Sequence, residues 1–291
     1  FLAQILDKLF EIAGKKVRPA VTLLSSNFHP HDSLKTEIMA TAVELLHIAT
    51  LIHDDTVDNA GIRHGKATLS NLWGPNVAVL TGDYIFATSA TFVCDTGEIR
   101  VVRRFSETIM ELASGQLQET AEAFNPNQNM EHYLNRIYNK TASLFTTASE
   151  SGSILSGAPE TDVHTLKDYG YNLGMAFQIV DDILDLAGNE MELGKPVGKD
   201  LSRGIMTLPS IMAMERYPND NPIPMVFQYP NDENYLNQAV DMIQNSSIID
   251  DAYSISNGFC DKAHKALKTL PRNPSRDSLD QLLEHILTRR G

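Results

Sequence analysis

The chain is poor in cysteine and in basic residues, and both shortages restrict its function. Its 291 residues include two cysteines, Cys94 and Cys260, too few for a disulfide framework or a zinc cluster. So low a content is typical of a reducing compartment, and we expect a cytoplasmic protein. The formal net charge of -13 disfavours nucleic-acid binding, because nucleic-acid-binding domains usually carry a basic face.

A long hydrophobic run is also lacking. The longest apolar window, residues 38–52, is interrupted by Glu44 and His47 and is shorter than the ~20 residues that a transmembrane helix needs. We therefore expect no membrane span there. No signal peptide is visible, but the chain begins at Phe1 rather than at methionine, so an upstream targeting segment is left open.

Apolar residues recur at helical spacing through most of the chain. This pattern predicts long helices at 1–13, 37–58, 76–94, 99–123, 131–156, 162–186 and 207–216, and shorter ones beginning at Asn234, Ile249 and Ser278. The glycine-rich residues 188–204 predict a loop, and residues 217–231, rich in proline, asparagine and aspartate, predict an exposed connection. No segment alternates like a strand. We predict an all-α fold in which residues 1–291 form a single domain.

Two Asp-Asp-x-x-Asp clusters follow apolar helical segments, Asp54, Asp55 and Asp58 in the first and Asp181, Asp182 and Asp185 in the second. Carboxylates four residues apart share one face of a helix. Acidic side chains beside a buried face are unfavourable unless a cation joins them, and Mg2+ binds through one or two carboxylates, water and substrate phosphate. One such cluster alone would be an ordinary solvated helix end. Two such clusters, facing one another, would form a carboxylate-lined binding site for a metal and a phosphate.

Cationic residues accompany the first cluster. Lys15 and Arg18 lie three residues apart and would face one way on a helical turn. His47 lies two turns before Asp54, and Arg63 and His64 follow the cluster closely. Alone, the first pair is an ordinary solvated turn and a lone histidine in an apolar helix is usually a core residue. Beside two acidic clusters, the same residues indicate phosphate binding.

Similar residues accompany the second cluster. Lys140 and Thr141 are adjacent in a helical segment, and Gln178 lies one turn before the second cluster in an apolar setting where an amide needs partners. Lys195 lies in a glycine-lysine segment, residues 194–200, that suggests phosphate contact. That segment lacks the spacing of a P-loop, and no strand precedes it, so nucleotide binding is disfavoured.

Taken in order, these motifs resemble those of the trans-type isoprenyl (polyprenyl) diphosphate synthases. The resemblance covers about residues 14–209 and ends at Thr207-Leu208-Pro209. It implies the isoprenoid-synthase type of all-α fold, with helices around a central cavity, and a homodimer. It also implies head-to-tail condensation of isopentenyl diphosphate with an allylic diphosphate. The implied cofactor is Mg2+, about three ions once diphosphate is bound.

The resemblance also assigns a role to each site residue. Mg2+ would bind to Asp54, Asp58 and Asp181, with Asp55, Asp182 and Asp185 in support. The allylic diphosphate would bind to Arg63, Lys140 and Lys195, and isopentenyl diphosphate to Lys15, Arg18 and His47. Gln178 and Thr141 would stabilise the allylic cation, which makes Lys140, Thr141, Gln178 and Lys195 the catalytic set.

Two positions depart from the family pattern. The second arginine that usually follows the first cluster is His64 here, so contact with isopentenyl diphosphate becomes weaker or pH-dependent. A lysine common before the Thr-Leu-Pro motif is Ile205, although Arg203 lies close by. Neither change removes a metal ligand, so we still expect activity.

Product length depends on the residues one turn before Asp54, which are Ala49 and Thr50. In the family, an aromatic residue at this level stops elongation early. Two small residues leave the tunnel for the growing prenyl chain open along at least one further turn of the helix, roughly 5.4 Å. We predict a long-chain product, whose apolar chain would bring the enzyme to a membrane surface.

Two alternatives stay open. The first is a short-chain synthase that makes farnesyl or geranylgeranyl diphosphate. The second is a non-catalytic subunit of a heteromeric synthase, although such subunits typically lose aspartates and this chain keeps all six.

Overall fold

The computed structural model describes residues 1–10, 14–63, 65–188 and 197–288. The predicted all-α fold is confirmed. The first half contains α1 Leu2–Phe10, α2 Val17–Ser26, α3 Ser33–Val57, α4 Leu69–Trp73, α5 Pro75–Asp95, α6 Ile99–Glu122 and α7 Met130–Ile137. A π-helical turn, Tyr138–Ala142, then leads to α8 Ser143–Leu155 and α9 Glu160–Ala187. The remaining helices are α10 Lys199–Ser202, α11 Leu208–Arg216, α12 Ile223–Gln228, α13 Glu233–Gln244, α14 Ile248–Lys268 and α15 Pro274–Thr288.

One short hairpin interrupts this helical chain. Strand β1, Ile62–Arg63, pairs antiparallel with β2, Lys66–Ala67. The sequence predicts no strand, which is wrong here because a two-residue strand is too short to show alternation. The hairpin follows α3 directly and carries Arg63.

Contacts divide the chain into two compact units. Unit 1 comprises residues 1–106 and 147–163, and unit 2 comprises residues 107–146 and 164–291. The assignment of residues 1–291 to a single domain stays a prediction.

Helix α3 is central to unit 1. Its first turn is capped by Asp32, whose carboxylate accepts a hydrogen bond from the Leu34 N–H at 3.1 Å. Its buried residues recur every three or four positions and include Met39, Ala42, Val43, Leu46 and Ala49. Helix α3 packs against α5 and α2. The apolar periodicity of the sequence therefore explains why the helix that carries the first aspartate cluster is fixed in the core.

The expectation that the chain lacks a long hydrophobic run is wrong for α5, which is, within the described ranges, the one helix long and apolar enough to cross a membrane by length and composition. A third of its most apolar window is buried, against α3 and α4 of unit 1. On its uncovered side Val79, Leu80 and Tyr84 are exposed. It is a helix of unit 1 that is covered on one side and leaves these apolar side chains exposed on the other.

Helix α9 carries the second aspartate cluster into unit 2. Its residues Leu173, Ala176, Ile179 and Ile183 are fully buried at intervals of three and four. The segment 217–231, which the sequence predicts as an exposed connection, instead contains α12. Its buried residues Ile223, Val226 and Phe227 show the helical spacing that the surrounding prolines and asparagines obscure.

Candidate active site

Both aspartate clusters lie in the last two turns of a long helix. Helix α3 ends at Val57, and α9 ends at Ala187. Carbonyl groups at the C-terminal end of a helix carry partial negative charge, so carboxylates there are unfavourable. Neither last turn contains a basic residue. A bound cation would remove this repulsion at both places.

The first cluster separates into carboxylates with different surroundings. Asp55 is buried and accepts a hydrogen bond from the Nε of Arg63 at 2.7 Å, in an ion pair between α3 and β1. Asp54 and Asp58 are only half-buried, and the Asp58 N–H caps the helix by bonding to the Asp54 carbonyl at 2.8 Å. This arrangement fits Asp54 and Asp58 as metal ligands, with Asp55 holding the arginine in place.

The cations predicted to bind isopentenyl diphosphate lie at the start of α2, beside α3. Arg18 lies within hydrogen-bond distance of His47, with 3.1 Å between Nη1 and Nε2. Lys16 pairs with Glu44 at 2.8 Å, and Lys15 is exposed. The structure thus brings Arg18 and His47 together, as the sequence predicts, and leaves Lys15 on the adjoining turn.

His47 is held in its neutral form. Burial lowers its pKa to about 2, and the positive charges of Arg18, Arg63 and Lys16 act in the same direction. Because arginine can only donate, the Nε2 of His47 must be the acceptor of the Arg18 hydrogen bond. A neutral His47 therefore orients Arg18 and adds no charge of its own.

The stability of the protein should fall in acid because of His47. Its pKa is depressed in the folded state, so only the unfolded chain takes up this proton as the pH falls below 6.5. The contribution is present above pH 6.5 and declines by about 1.4 kcal/mol for each pH unit below it. Urea unfolding at pH 8, 6.5 and 5 measures this dependence. His47→Asn, which keeps an acceptor for Arg18, should lose less stability in acid than the wild type.

His164, an exposed histidine, provides the control. His164→Asn should keep the wild-type slope of stability against pH. Equal slopes for wild type and His47→Asn would contradict the assignment of a buried, neutral His47.

The second cluster is divided in the same way. Asp182 is buried, and its two carboxylate oxygens accept hydrogen bonds from the Tyr133 hydroxyl and from Nε2 of Gln178, each at 2.7 Å. Burial raises the pKa of Asp182 to about 8, and the neighbouring Asp200 adds to that shift, while the two hydrogen bonds oppose it. Asp181 and Asp185 are half-buried. Asp182 is thus set apart from the carboxylates that could reach a metal.

Asp185 accepts hydrogen bonds from the last residues of the glycine-lysine segment. Its backbone carbonyl accepts a hydrogen bond from the Gly198 N–H at 2.8 Å, and its carboxylate accepts one from the Asp200 N–H at 3.0 Å. Burial raises the pKa of the Asp200 carboxyl, and Asp185 and Glu119 raise it further. The sequence predicts no role for Asp200, although it ends the Gly-Lys-Asp motif, and the structure adds its carboxyl to this acidic group.

Lys140 and Thr141 lie in the π-helical turn, where the sequence predicts unbroken helix. Lys140 forms an ion pair with Glu119, and the Thr141 hydroxyl donates to Oε1 of Gln178 at 2.6 Å. Two glycines let other helices approach this turn. A Cβ at Gly115 would lie 2.7 Å from the backbone nitrogen of Lys140, and a Cβ at Gly174 would lie 2.6 Å from the Cα of Ala142. Single π-helical turns are frequent at functional sites, and this one places Thr141 against Gln178.

Two predicted substrate-binding residues, His64 and Lys195, lie outside the described residues. Conversely, the structure adds Tyr133, Glu119 and Asp200 to the predicted set. Tyr133 had no sequence signal, because it is 49 residues from its partner Asp182.

The donor atoms available are suited to a hard cation. No three histidine, cysteine, aspartate or glutamate side chains of the described ranges are grouped so that they could hold a metal by themselves. Mg2+ does not need such a group, because it keeps water and takes ligands from substrate phosphates. The partly exposed carboxylates of Asp54, Asp58, Asp181 and Asp185 supply oxygen ligands only, which fits Mg2+ and disfavours zinc.

A family model described as polyprenyl synthetase matches residues 1–243. The chain belongs to the polyprenyl synthetase family. It is therefore a prenyltransferase, and the resemblance predicted from the ordered motifs is confirmed.

Individual relatives agree with this assignment. Heptaprenyl diphosphate synthase component 2 of Bacillus subtilis (strain 168) is 36% identical over 278 residues, which are 96% of this chain and 80% of that protein. The crystal structure of a decaprenyl diphosphate synthase from Rhodobacter capsulatus matches with a TM-score of 0.93 and 35% identity, over 99% of this chain and 90% of that one. The structure of a polyprenyl synthase from Caulobacter crescentus CB15, complexed with calcium and isoprenyl diphosphate, matches with a TM-score of 0.90 and 32% identity. The match covers 96% of this chain and 86% of that one. The heptaprenyl and decaprenyl relatives bear out the prediction of a long-chain synthase.

Proposed function

We propose that this synthase condenses isopentenyl diphosphate head-to-tail with an allylic diphosphate, repeatedly, to make a long-chain all-trans polyprenyl diphosphate. The observation that carries the proposal is that the two aspartate clusters have the same arrangement. Each lies at the C-terminal end of a helix, and each combines partly exposed carboxylates with one buried carboxylate that has its own donors. A cation stabilises carboxylates at such ends, and a diphosphate would supply the remaining ligands of that cation.

Divalent metal ions are the proposed cofactor, with Mg2+ as the physiological ion. Asp54, Asp58 and Asp181 would hold it, and Asp185 would assist. Mg2+, when bound, supplies Lewis-acid stabilisation of the departing diphosphate. The metal-bound Caulobacter relative supports this, since it was complexed with calcium and isoprenyl diphosphate.

The first step breaks the bond between the allylic carbon and the diphosphate oxygen, and the electron pair leaves with the diphosphate. Arg63, Lys140 and Lys195 bind that diphosphate and stabilise its growing charge. Gln178 and Thr141 present oxygen lone pairs to the allylic cation. An apolar helical surrounding keeps water from this cation, which water would otherwise trap as an alcohol.

The second step joins the cation to isopentenyl diphosphate. Its diphosphate binds to Lys15 and Arg18, and neutral His47 fixes the direction of the Arg18 guanidinium. The double bond attacks the allylic carbon to form the new carbon–carbon bond. A proton then leaves the condensed product, and the released diphosphate accepts it.

The homodimer implied by the resemblance would use the open side of α5. Val79, Leu80 and Tyr84 are exposed there beside the exposed Asp83, and Leu80 is 68% exposed. Large apolar side chains exposed together on one side of a helix are the surface that an interface would cover. We propose a second copy of the chain as the partner. The Bacillus relative is named as component 2 of its synthase, so a complex with a different chain is the alternative to test. Sedimentation equilibrium of the purified chain measures the mass directly.

Incubation of the purified chain with farnesyl diphosphate, radiolabelled isopentenyl diphosphate and Mg2+, followed by chromatography, tests the function. We expect labelled products longer than geranylgeranyl diphosphate, and no label when the metal is chelated. Products that stop at geranylgeranyl diphosphate would favour the short-chain alternative. No incorporation, alone or with a second synthase component, would overturn the proposal.

A further inference from the structure

A continuous chain of hydrogen bonds runs through unit 2 to the residues proposed to stabilise the cation. The buried Tyr133 hydroxyl donates to Oδ2 of Asp182 at 2.7 Å. Oδ1 of Asp182 accepts from Nε2 of Gln178 at 2.7 Å, and Oε1 of Gln178 accepts from the Thr141 hydroxyl at 2.6 Å. Every donor in this chain points toward Asp182 or toward a group that itself bonds to Asp182.

This direction fixes the two catalytic oxygens. The Gln178 amide has one low-energy orientation, because its NH2 must face Asp182 and its carbonyl oxygen must face Thr141. The Thr141 hydroxyl directs its hydrogen at Gln178, so its lone pairs point elsewhere and are available to a cation. Rotation of the amide by half a turn would place its carbonyl oxygen against Oδ1 of Asp182, so that two acceptors would meet.

The position of Asp182 is itself imposed by α7. The Tyr133 side chain is fully buried, and the Arg136 guanidinium lies 5.8 Å from the centre of its ring. Arg136 is in turn fixed by Gln128, whose Oε1 it reaches at 2.7 Å, and by the Met206 carbonyl. A rigid, buried hydroxyl thus defines where the Asp182 carboxylate stands.

We propose that Tyr133 is a positioning residue of this synthase, which acts through Asp182 to hold the Gln178 amide and the Thr141 hydroxyl in the orientation that stabilises the allylic cation. The inference rests on the proposed function, because it needs that cation. It also gives Asp182 a task different from direct metal binding. Substrate binding does not depend on Tyr133, whereas the rate of ionisation does.

Tyr133→Phe tests the proposal, because phenylalanine keeps the ring under Arg136 and removes only the hydroxyl. We expect kcat to fall about 10- to 100-fold, because removal of the hydroxyl leaves a buried Asp182 oxygen without its donor. KM for both diphosphates should stay within about twofold of wild type, since the groups that bind them are untouched. Steady-state kinetics with farnesyl diphosphate and isopentenyl diphosphate measures both.

Tyr169→Phe is the matched control. Tyr169 is also fully buried, and its hydroxyl makes one hydrogen bond, to the Leu279 carbonyl at 2.9 Å, with no link to Asp182. The two variants should lower Tm by similar amounts, yet Tyr169→Phe should keep wild-type kcat. A Tyr133→Phe kcat equal to that of Tyr169→Phe would overturn the proposal. So would a loss of kcat that comes with a much larger loss of Tm, since that indicates a structural role.

A double-mutant cycle with Gln178→Ala tests the route of the effect. If Tyr133 acts through Gln178, adding Tyr133→Phe to Gln178→Ala should lower kcat no further. Multiplicative losses would overturn the proposed route. A wild-type chain that incorporates no isopentenyl diphosphate would overturn both this inference and the proposed function, whereas an active wild type with a Tyr133→Phe variant of equal kcat would overturn this inference alone.

Discussion

Asp181→Asn should lower kcat about 100- to 1,000-fold, because it removes one carboxylate that holds charge against the departing diphosphate. Asparagine keeps the size of the side chain and one oxygen, so the packing of α9 should be unchanged. The concentration of Mg2+ needed for half-maximal rate should rise at the same time, since a neutral oxygen binds Mg2+ less strongly than a carboxylate. A Mg2+ titration of the initial rate, with labelled isopentenyl diphosphate, measures both effects.

Asp168→Asn is the matched control for this change. It removes the same charge from an exposed position on the same helix, so it corrects for the change in net charge. It should leave kcat and the Mg2+ titration at wild-type values. An Asp181→Asn variant that keeps more than about a tenth of wild-type kcat, with an unchanged Mg2+ titration, would contradict a direct role in metal binding.

The helices could be predicted from the sequence where burial and periodicity agree. The core faces of α3 and α9 show the same spacing in the sequence and in the structure. Residues 217–231 mislead because proline, asparagine and aspartate indicate a connection, while only three buried positions, Ile223, Val226 and Phe227, indicate a helix. Local composition outweighs a short periodic signal in such a case.

The π-helical turn could not be predicted, for a different reason. Residues 138–142 have ordinary helix-forming composition, and the altered turn depends on how closely other helices approach it. Those approaches are made possible by Gly115 and Gly174, which are distant in sequence. A glycine inside a helical pattern signals a close contact somewhere, without telling which segment makes it.

Residue spacing alone predicts the site as a set of residues, and the separate roles of its aspartates follow only from the family resemblance. Spacing treats Asp181 and Asp182 alike, and it treats Asp54 and Asp55 alike. Their surroundings differ because Tyr133 and Arg63 approach one member of each pair from elsewhere in the chain. Burial and hydrogen bonding decide whether a carboxylate reaches a metal, and both are tertiary properties.

Ala49→Phe should shorten the product, and this second large effect tests what stops chain growth. Ala49 is fully buried and belongs to a hydrophobic cluster with Ile52, Ala78 and Ile85 of unit 1. A benzyl group there would lie at the level one turn before Asp54, where the sequence predicts that the prenyl chain runs. Chromatography of the labelled products should show a shift from long-chain species to products near farnesyl and geranylgeranyl diphosphate.

Two further alanines of α3 make the prediction quantitative. Ala42 is seven residues earlier and lies on almost the same face, roughly 10.5 Å further along the helix, so Ala42→Phe should stop growth later than Ala49→Phe. Ala40 is buried too, but nine residues place it on the opposite face of the helix. Ala40→Phe should cost stability, about 1–3 kcal/mol as overpacking usually does, without changing the product. Because all three variants add the same group to one buried helix, a product length that follows distance from Asp54 would identify α3 as the wall along which the chain grows. An unchanged product from Ala49→Phe would exclude it.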